Sequence, residues 1–278
     1  MYAAAEDQGG RIAYVHRHNR RCAPVILRRL SANLRAQNWT AISIELIVVI
    51  VGVFIGTQVS NWNADRLERR KTERMLVQLR PELKAMSGYF DNAREYYATT
   101  RSYAKTAFSG WEGDPKVSDE QFVIAAYQAS QVIGIGTSGE NWALIFGAGQ
   151  LQNIEDADLR RAVSTLMSSD FDTVNYPSVS TEYREDVRRV IPDALQAAIR
   201  ETCGDRADRA NPAIVRLTRD CRLDLPDDLA AAAATALREQ PQLVGDLRWH
   251  LAAVSTLLSQ VDAFDVLTRD LTRRIKSN

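Results

Sequence analysis

Between Ile42 and Ser60 the chain reads ISIELIVVIVGVFIGTQVS, an apolar run in which Glu45 is the single ionisable residue. An α-helix rises about 1.5 Å per residue, so a run of this length covers close to the ~30 Å hydrocarbon core of a bilayer. Trp39 and Trp62 stand near its two ends, where amphipathic indole rings favour the membrane interface. The expectation is one transmembrane helix over 39–62. It places the protein in a lipid bilayer and leaves its chemistry open.

The arm ahead of it, 1–38, carries Arg11, Arg17, Arg20, Arg21, Arg28, Arg29 and Arg35 against Glu6 and Asp7. The positive-inside rule therefore puts the N-terminus in the cytoplasm. Arg66, Arg69, Arg70, Lys71 and Arg74 crowd the other end, but Asp65, Glu68 and Glu73 are interleaved with them and long domains translocate despite local charge. A cleavable signal peptide fits less well, because the apolar run is too long and TQVSNWNA offers no small-x-small site. The expected product is an uncleaved, single-pass anchor of a cytoplasmic membrane, with the C-terminal domain outside the cytoplasm.

Glu45, Val49, Gly52, Gly56 and Val59 recur at heptad-like spacing and share one face of the helix. Gly52 and Gly56 form a GxxxG pattern that lets two backbones approach closely, and a carboxyl in hydrocarbon prefers a protein partner to lipid. Homodimerisation through this face is one expectation. The other is that Glu45 reaches toward the headgroups and the glycines reflect ordinary membrane-helix composition.

The 278 residues carry 35 basic and 35 acidic side chains, a formal net charge of +0, which lacks the electrostatic footprint of nucleic-acid binding. With 45% hydrophobic and 25% charged residues, the part beyond the span has the composition of a folded domain. Cys22 stands alone in the arm, whereas Cys203 and Cys221 lie close together in the distal part. Those two are able to form a disulfide in an oxidising compartment, with two buried free thiols as the alternative.

Beyond the span the periodicity is helical. Leu76, Leu79, Leu83, Met86 and Phe90 mark an amphipathic juxtamembrane helix over 63–110, which Pro81 should kink or restart. Within a helical domain over 111–278, Ser118 or Asp119 should cap a helix through Gln131, and Leu159, Val163 and Leu166 mark another. A run from Ser180 to Thr202 is interrupted at Pro192, an alanine-rich helix starts after Pro226, and a last helix from Pro241 buries Leu247, Leu251, Val254, Leu258, Val261, Phe264 and Leu271. Strand-like alternation is scarce. The fold expected is all-α, an antiparallel helical bundle behind a single N-terminal transmembrane helix.

Motifs for chemistry are thin. His16, His18 and His250 are too few and too scattered for a multi-histidine metal site, and HExxH, CxxC and a Walker lysine are lacking. Gly134, Gly136 and Gly139 match GxGxxG in letters, but a helical stretch rather than a strand precedes them. The clusters Glu155, Asp156, Asp158 and Asp224, Asp227, Asp228 each stand ahead of a helix, where the dipole attracts carboxylates. No catalytic residue, metal or cofactor is assigned.

Two segments carry a resemblance. LRRLSANLRAQNWTAISIELIVVIVGVFIGTQVSNWNADR and NWALIFGAGQLQNIEDADLRRAV resemble bacterial single-pass membrane proteins of the DUF6090 type. Their region runs through an acidic residue, an aliphatic span and an NWN ending. The resemblance implies placement in a bacterial inner membrane and a periplasmic helical domain, with no activity attached. It also makes residues 1–24 look extraneous, with a start at Val25. A noncatalytic domain that binds a protein or ligand is the leading expectation. A membrane-tethered enzyme is the alternative, and a deep pocket collecting Glu140, Trp142, Arg160 and Arg161 would favour it.

Overall fold

The computed structural model describes residues 39–135, 150–174 and 180–277, and over these the chain is mostly helical, with seven α-helices. It divides into two units, residues 1–64 and 65–278. Helix α1 is Trp39–Glu112. Residues 39–71 of it are exposed throughout, and from Leu79 onward it buries Leu79, Leu83, Met86, Phe90, Ala93, Tyr97, Ala104 and Ala107. The three-and-four spacing of that stripe is the signature of a helix packed along one side.

Pro81 does not restart the helix, contrary to one of the two expectations for it. Proline cannot donate to the carbonyl four residues back, but Val77 and Pro81 are both exposed, so water can take the carbonyl left over. The helix ends at Gly113, whose φ of 76° is the left-handed conformation that glycine adopts without strain. Asp114 N–H donates to Ser109 C=O at 3.0 Å and Gly113 N–H to Gly110 C=O at 3.3 Å, the two bonds of a Schellman motif.

Helix α2, Asp119–Gln128, starts in a capping box. Gln121 N–H donates to the Ser118 hydroxyl and Ser118 N–H donates back to the Gln121 side chain. It stops at Gln128, three residues short of the expected end, after which the Ala129 and Ser130 N–H groups close turns on Ala125 and Tyr127. From Phe122 to Gln128 it is buried on every side. A helix apolar all round belongs at the centre of a fold.

Helix α3 is Ala157–Met167, with the Asp156 side chain accepting from the N–H groups of Asp158 and Leu159. The run expected from Ser180 to Thr202 is two helices, α4 Glu182–Val190 and α5 Asp193–Cys203, parted by extended backbone at Ile191 and Pro192. Helix α6 is Asp227–Arg238, and its small buried residues Ala230, Ala233 and Ala234 let it pack closely on α2. The long helix α7 is Gln242–Ser277. It runs antiparallel to α1 within the second unit: Arg94 meets Asp262, Arg101 meets Ser255, and Arg248 lies over the Phe108 ring. α3 and α4 also pack against it. Two short 3-10 turns, Gln150–Asn153 and Phe171–Val174, complete the helical part.

One two-residue ribbon departs from the all-helical expectation. β1, Arg206–Ala207, pairs antiparallel with β2, Val215–Arg216. It survives at that length because α1 holds its edge. Asn92 donates to Val215 C=O at 2.8 Å and accepts from Val215 N–H at 3.1 Å, so one amide side chain takes the place of a third strand.

Candidate functional site

By length and composition two helices are able to cross a membrane, α1 and the Gln242–Ile275 part of α7, where the sequence predicts one. No residue of the apolar window in α1 is buried, against 28% of the window in α7. Ile44, Val48, Val53 and Phe54 are each more than 60% exposed, and Trp39 and Trp62 likewise. Along this stretch the Thr57 hydroxyl donates to Phe54 C=O at 2.8 Å, which satisfies it without leaving the helix.

Glu45, Gly52 and Gly56 lie seven and four residues apart in this first unit, on one face of α1, and all three are exposed. A side chain at Gly52 or Gly56 would meet only open space. The face is therefore a smooth groove along the helix flanked by aliphatic side chains, with one carboxyl near its start.

The second unit brings together residues that are far apart in sequence. Asp265, 5% exposed, accepts from Arg94 Nη2 at 2.8 Å and from Arg269 Nε at 2.9 Å. Arg94 also reaches Asp262 and Asp91 at 2.8 Å, and Arg269 reaches Asp91 at 2.9 Å. Five side chains thus form one closed ionic network along the α1 and α7 seam. Asp265, the buried charge of the five, faces two opposite ones, which is the condition under which its desolvation is offset.

A second polar cluster surrounds the end of α2. Arg184 and Arg188, one turn apart on α4, donate to Ser130 C=O at 2.8 Å and to the Ser130 hydroxyl at 2.6 Å. Arg188 also lies 4.8 Å from the centre of the Tyr127 ring. Beside them His250 of α7 is fully buried and packs on Tyr183. Its Nδ1 and the Thr181 hydroxyl share a hydrogen bond of 2.8 Å, which is why Thr181, at the N-cap of α4, makes no capping bond. His250 Nε2 has no partner among the described residues. Burial, with the positive Arg184 and Arg188 nearby, pulls the imidazole down to about 4.

Tyr97 and Tyr103 are held as neutral phenols. Burial pushes Tyr97 and Tyr103 up to about 12, while their hydroxyls donate to Ile133 C=O and Thr218 C=O. Among the described residues no group of His, Cys, Asp and Glu could hold a metal ion.

Cys203 and Cys221 are joined by a disulfide with Cα atoms 5.5 Å apart. It closes a loop containing the ribbon, and the loop is fastened on both sides. Gln128 donates to Cys203 C=O at 2.7 Å, and the Glu120 carboxylate accepts from Leu223 and Leu225 N–H at 3.0 and 2.8 Å. Asp224, between those two, has φ of 51°, a turn its short side chain tolerates.

Of the four residues named for an enzymatic pocket, Glu140 and Trp142 lie outside the described residues, as do Gly136 and Gly139 of the glycine motif. Arg160 donates to Ile154 C=O at 2.7 Å and Arg161 pairs with Asp158 at 3.6 Å on the surface. Asp156 caps α3, and Asp227 and Asp228 occupy the first turn of α6. Sequence reasoning missed both polar clusters, although the spacing of Asp91 and Arg94, of Asp262, Asp265 and Arg269, and of Arg184 and Arg188 places each set on one helical face. The chain matches no protein-family model, no curated protein and no solved structure.

Proposed function

We propose that this chain is a single-pass membrane protein of a bacterial envelope, anchored by residues 42–60, whose helical second unit lies outside the cytoplasm and works by binding a protein or a small ligand. The observation that carries the reading is the wholly exposed apolar stretch of α1. Such a continuous apolar surface is stable only when lipid or protein covers it.

The α7 window fits a core helix better than a second span, because its apolar side chains, Leu243, Leu247, Val254 and Val261, are buried against the rest of the unit. The disulfide supports an oxidising compartment for the second unit, and the excess of arginine in 1–38 supports an N-terminus in the cytoplasm. The resemblance of the ELIVVIVGVFIGTQVSNWN stretch to single-pass bacterial proteins points the same way.

Within the span, Glu45, Gly52 and Gly56 form a face suited to a second copy of the same helix. Extraction of native membranes with alkaline carbonate tests the anchor: the protein should stay in the pellet, and its release into the supernatant would overturn the reading. A reporter active only outside the cytoplasm, fused at Asn278, should be active. Gly52→Ile with Gly56→Ile should abolish crosslinking through the span, and persistence of the crosslink would remove the dimer from the proposal.

A further inference from the structure

Along the outer seam of α1 and α7 a groove of about 480 Å³ is lined by Lys84, Ser87, Val266, Arg269, Thr272 and Arg273. Its size falls within the roughly 300–1,000 Å³ of small-molecule sites. Three of the six lining side chains are cationic and none is a carboxylate. The acids that balance the arginines engage them away from the groove: Arg269 uses Nε and Nη2 on Asp265 and Asp91, and Arg273 uses Nη2 on Asp270.

Donors remain. Among the described residues Lys84 and the Ser87 hydroxyl have no partner, and Arg269 keeps Nη1 and Arg273 keeps Nη1 and Nε. Four adjacent side chains therefore offer hydrogens, and Lys84 supplies the one positive charge that no neighbouring acid offsets. The rest of the wall is mostly carbon, from Val266, 69% exposed, and from the stems of the long side chains.

We infer that this groove binds an amphiphilic anion, an ionised carboxylate or phosphate ester carried on an aliphatic chain. The oxyanion sits between Lys84, Ser87 and Arg273, and the chain lies over Val266. An oxyanion accepts only, and the groove's free groups are donors. A bare anion would leave Val266 and the arginine stems in water, whereas an aliphatic tail covers them. The inference deepens the binding role proposed above and rests on it, but it does not depend on the membrane anchor.

The test is calorimetric titration of octyl phosphate into the full chain in zwitterionic nanodiscs, with empty nanodiscs subtracted. Saturable binding is expected, weakened by added salt because the charges face solvent. Lys84→Glu should weaken it about tenfold, since the change removes an attraction and adds a repulsion at a solvent-screened site. Lys105→Glu, the same charge change on an exposed part of the same helix, should leave it unchanged. Helicity by circular dichroism keeps a folding failure distinct from a binding one.

Inorganic phosphate should bind more weakly than octyl phosphate, and equal affinity would overturn the amphiphile in favour of a free anion. Octyltrimethylammonium should not compete, and competition would reduce the effect to detergent-like adsorption. Absence of binding above the empty nanodiscs, or equal losses in the two variants, would overturn the site. If the groove fails while a protein partner copurifies with the chain, the broader binding role stands without it.

Discussion

The apolar stretch of α1 and the helix α7 pass the same test of length and hydropathy, yet they solve opposite problems. Between Ile42 and Ser60 apolar residues occupy every direction around the helix and one carboxyl interrupts them. In α7 most apolar residues fall on a stripe, with Trp249 and Val266 outside it, and Asp246, Arg248, Asp262, Arg269 and Asp270 occupy positions between. The first pattern leaves no side fit for water, and the second leaves one side fit for water and one for a core. The first is also the more hydrophobic overall, and the angular distribution of the apolar residues separates the two further.

The comparison breaks most sharply under one substitution placed in each helix. Val261 of α7 is fully buried, so Val261→Arg forces an unpaired guanidinium into the core. The expected loss is at least about 4 kcal/mol, a large part of the roughly 5–15 kcal/mol that holds a typical domain folded. Urea denaturation followed by circular dichroism measures it, and unchanged stability would mean that this face of α7 is not core. Val53→Arg in the apolar stretch should leave that denaturation curve in place. It should instead cost about 3 kcal/mol of membrane insertion and shift protein from the carbonate pellet to the supernatant.

The disulfide sharpens the contrast, because it belongs to the second unit alone. Cys203→Ser with Cys221→Ser should lower the unfolding free energy by about 3 kcal/mol on the chain-entropy account for a loop of this size. Membrane retention should be unaffected. Thermal melts of the paired-serine variant and of reduced native protein should agree. A melt that reduction does not move would show that the bond adds nothing to the unit.

How much of this was legible follows from the range of the interactions. The cap at Ser118 or Asp119, the acidic cluster that holds Asp156 and the apolar stripe of α1 are local and can be read from the sequence, because a cap or a periodic face is written within four residues. The end of α2 was misplaced because Gln131, apolar neighbours notwithstanding, leaves the helix to bond Gln128 and the arginines of α4. Gln196, Asp265 and Thr268 are buried polar groups whose partners include residues on other elements or in the preceding turn, so hydropathy alone assigns them to the surface. The groove is the extreme case: Lys84 and Ser87 stand some 180 positions from Val266 and Arg269, and only the antiparallel register of α1 and α7 unites them.

His250 gives the smallest of these effects and the one most specific to the folded unit. Its imidazole sits at about 4 in the native protein against an ordinary value of 6.5. The unfolded chain therefore takes up a proton as pH falls below 6.5, and the folded chain does not until about 4. Protonation favours the unfolded state across that window, so this group's contribution is full above 6.5 and is lost on the way down, at about 1.4 kcal/mol per pH unit. Between pH 7.5 and pH 5 the loss from His250 is about 2 kcal/mol. His250→Gln keeps a hydrogen-bonding side chain for Thr181 and removes the titration, so its urea midpoint should fall less steeply over this range than that of the native protein. Retention in carbonate-washed membranes does not draw on that imidazole, so the native protein and the His250→Gln variant should stay in the pellet alike. Parallel slopes for the variant and the native protein would mean that the imidazole is free to accept its proton in place, with Thr181 and the α4 arginines yielding around it.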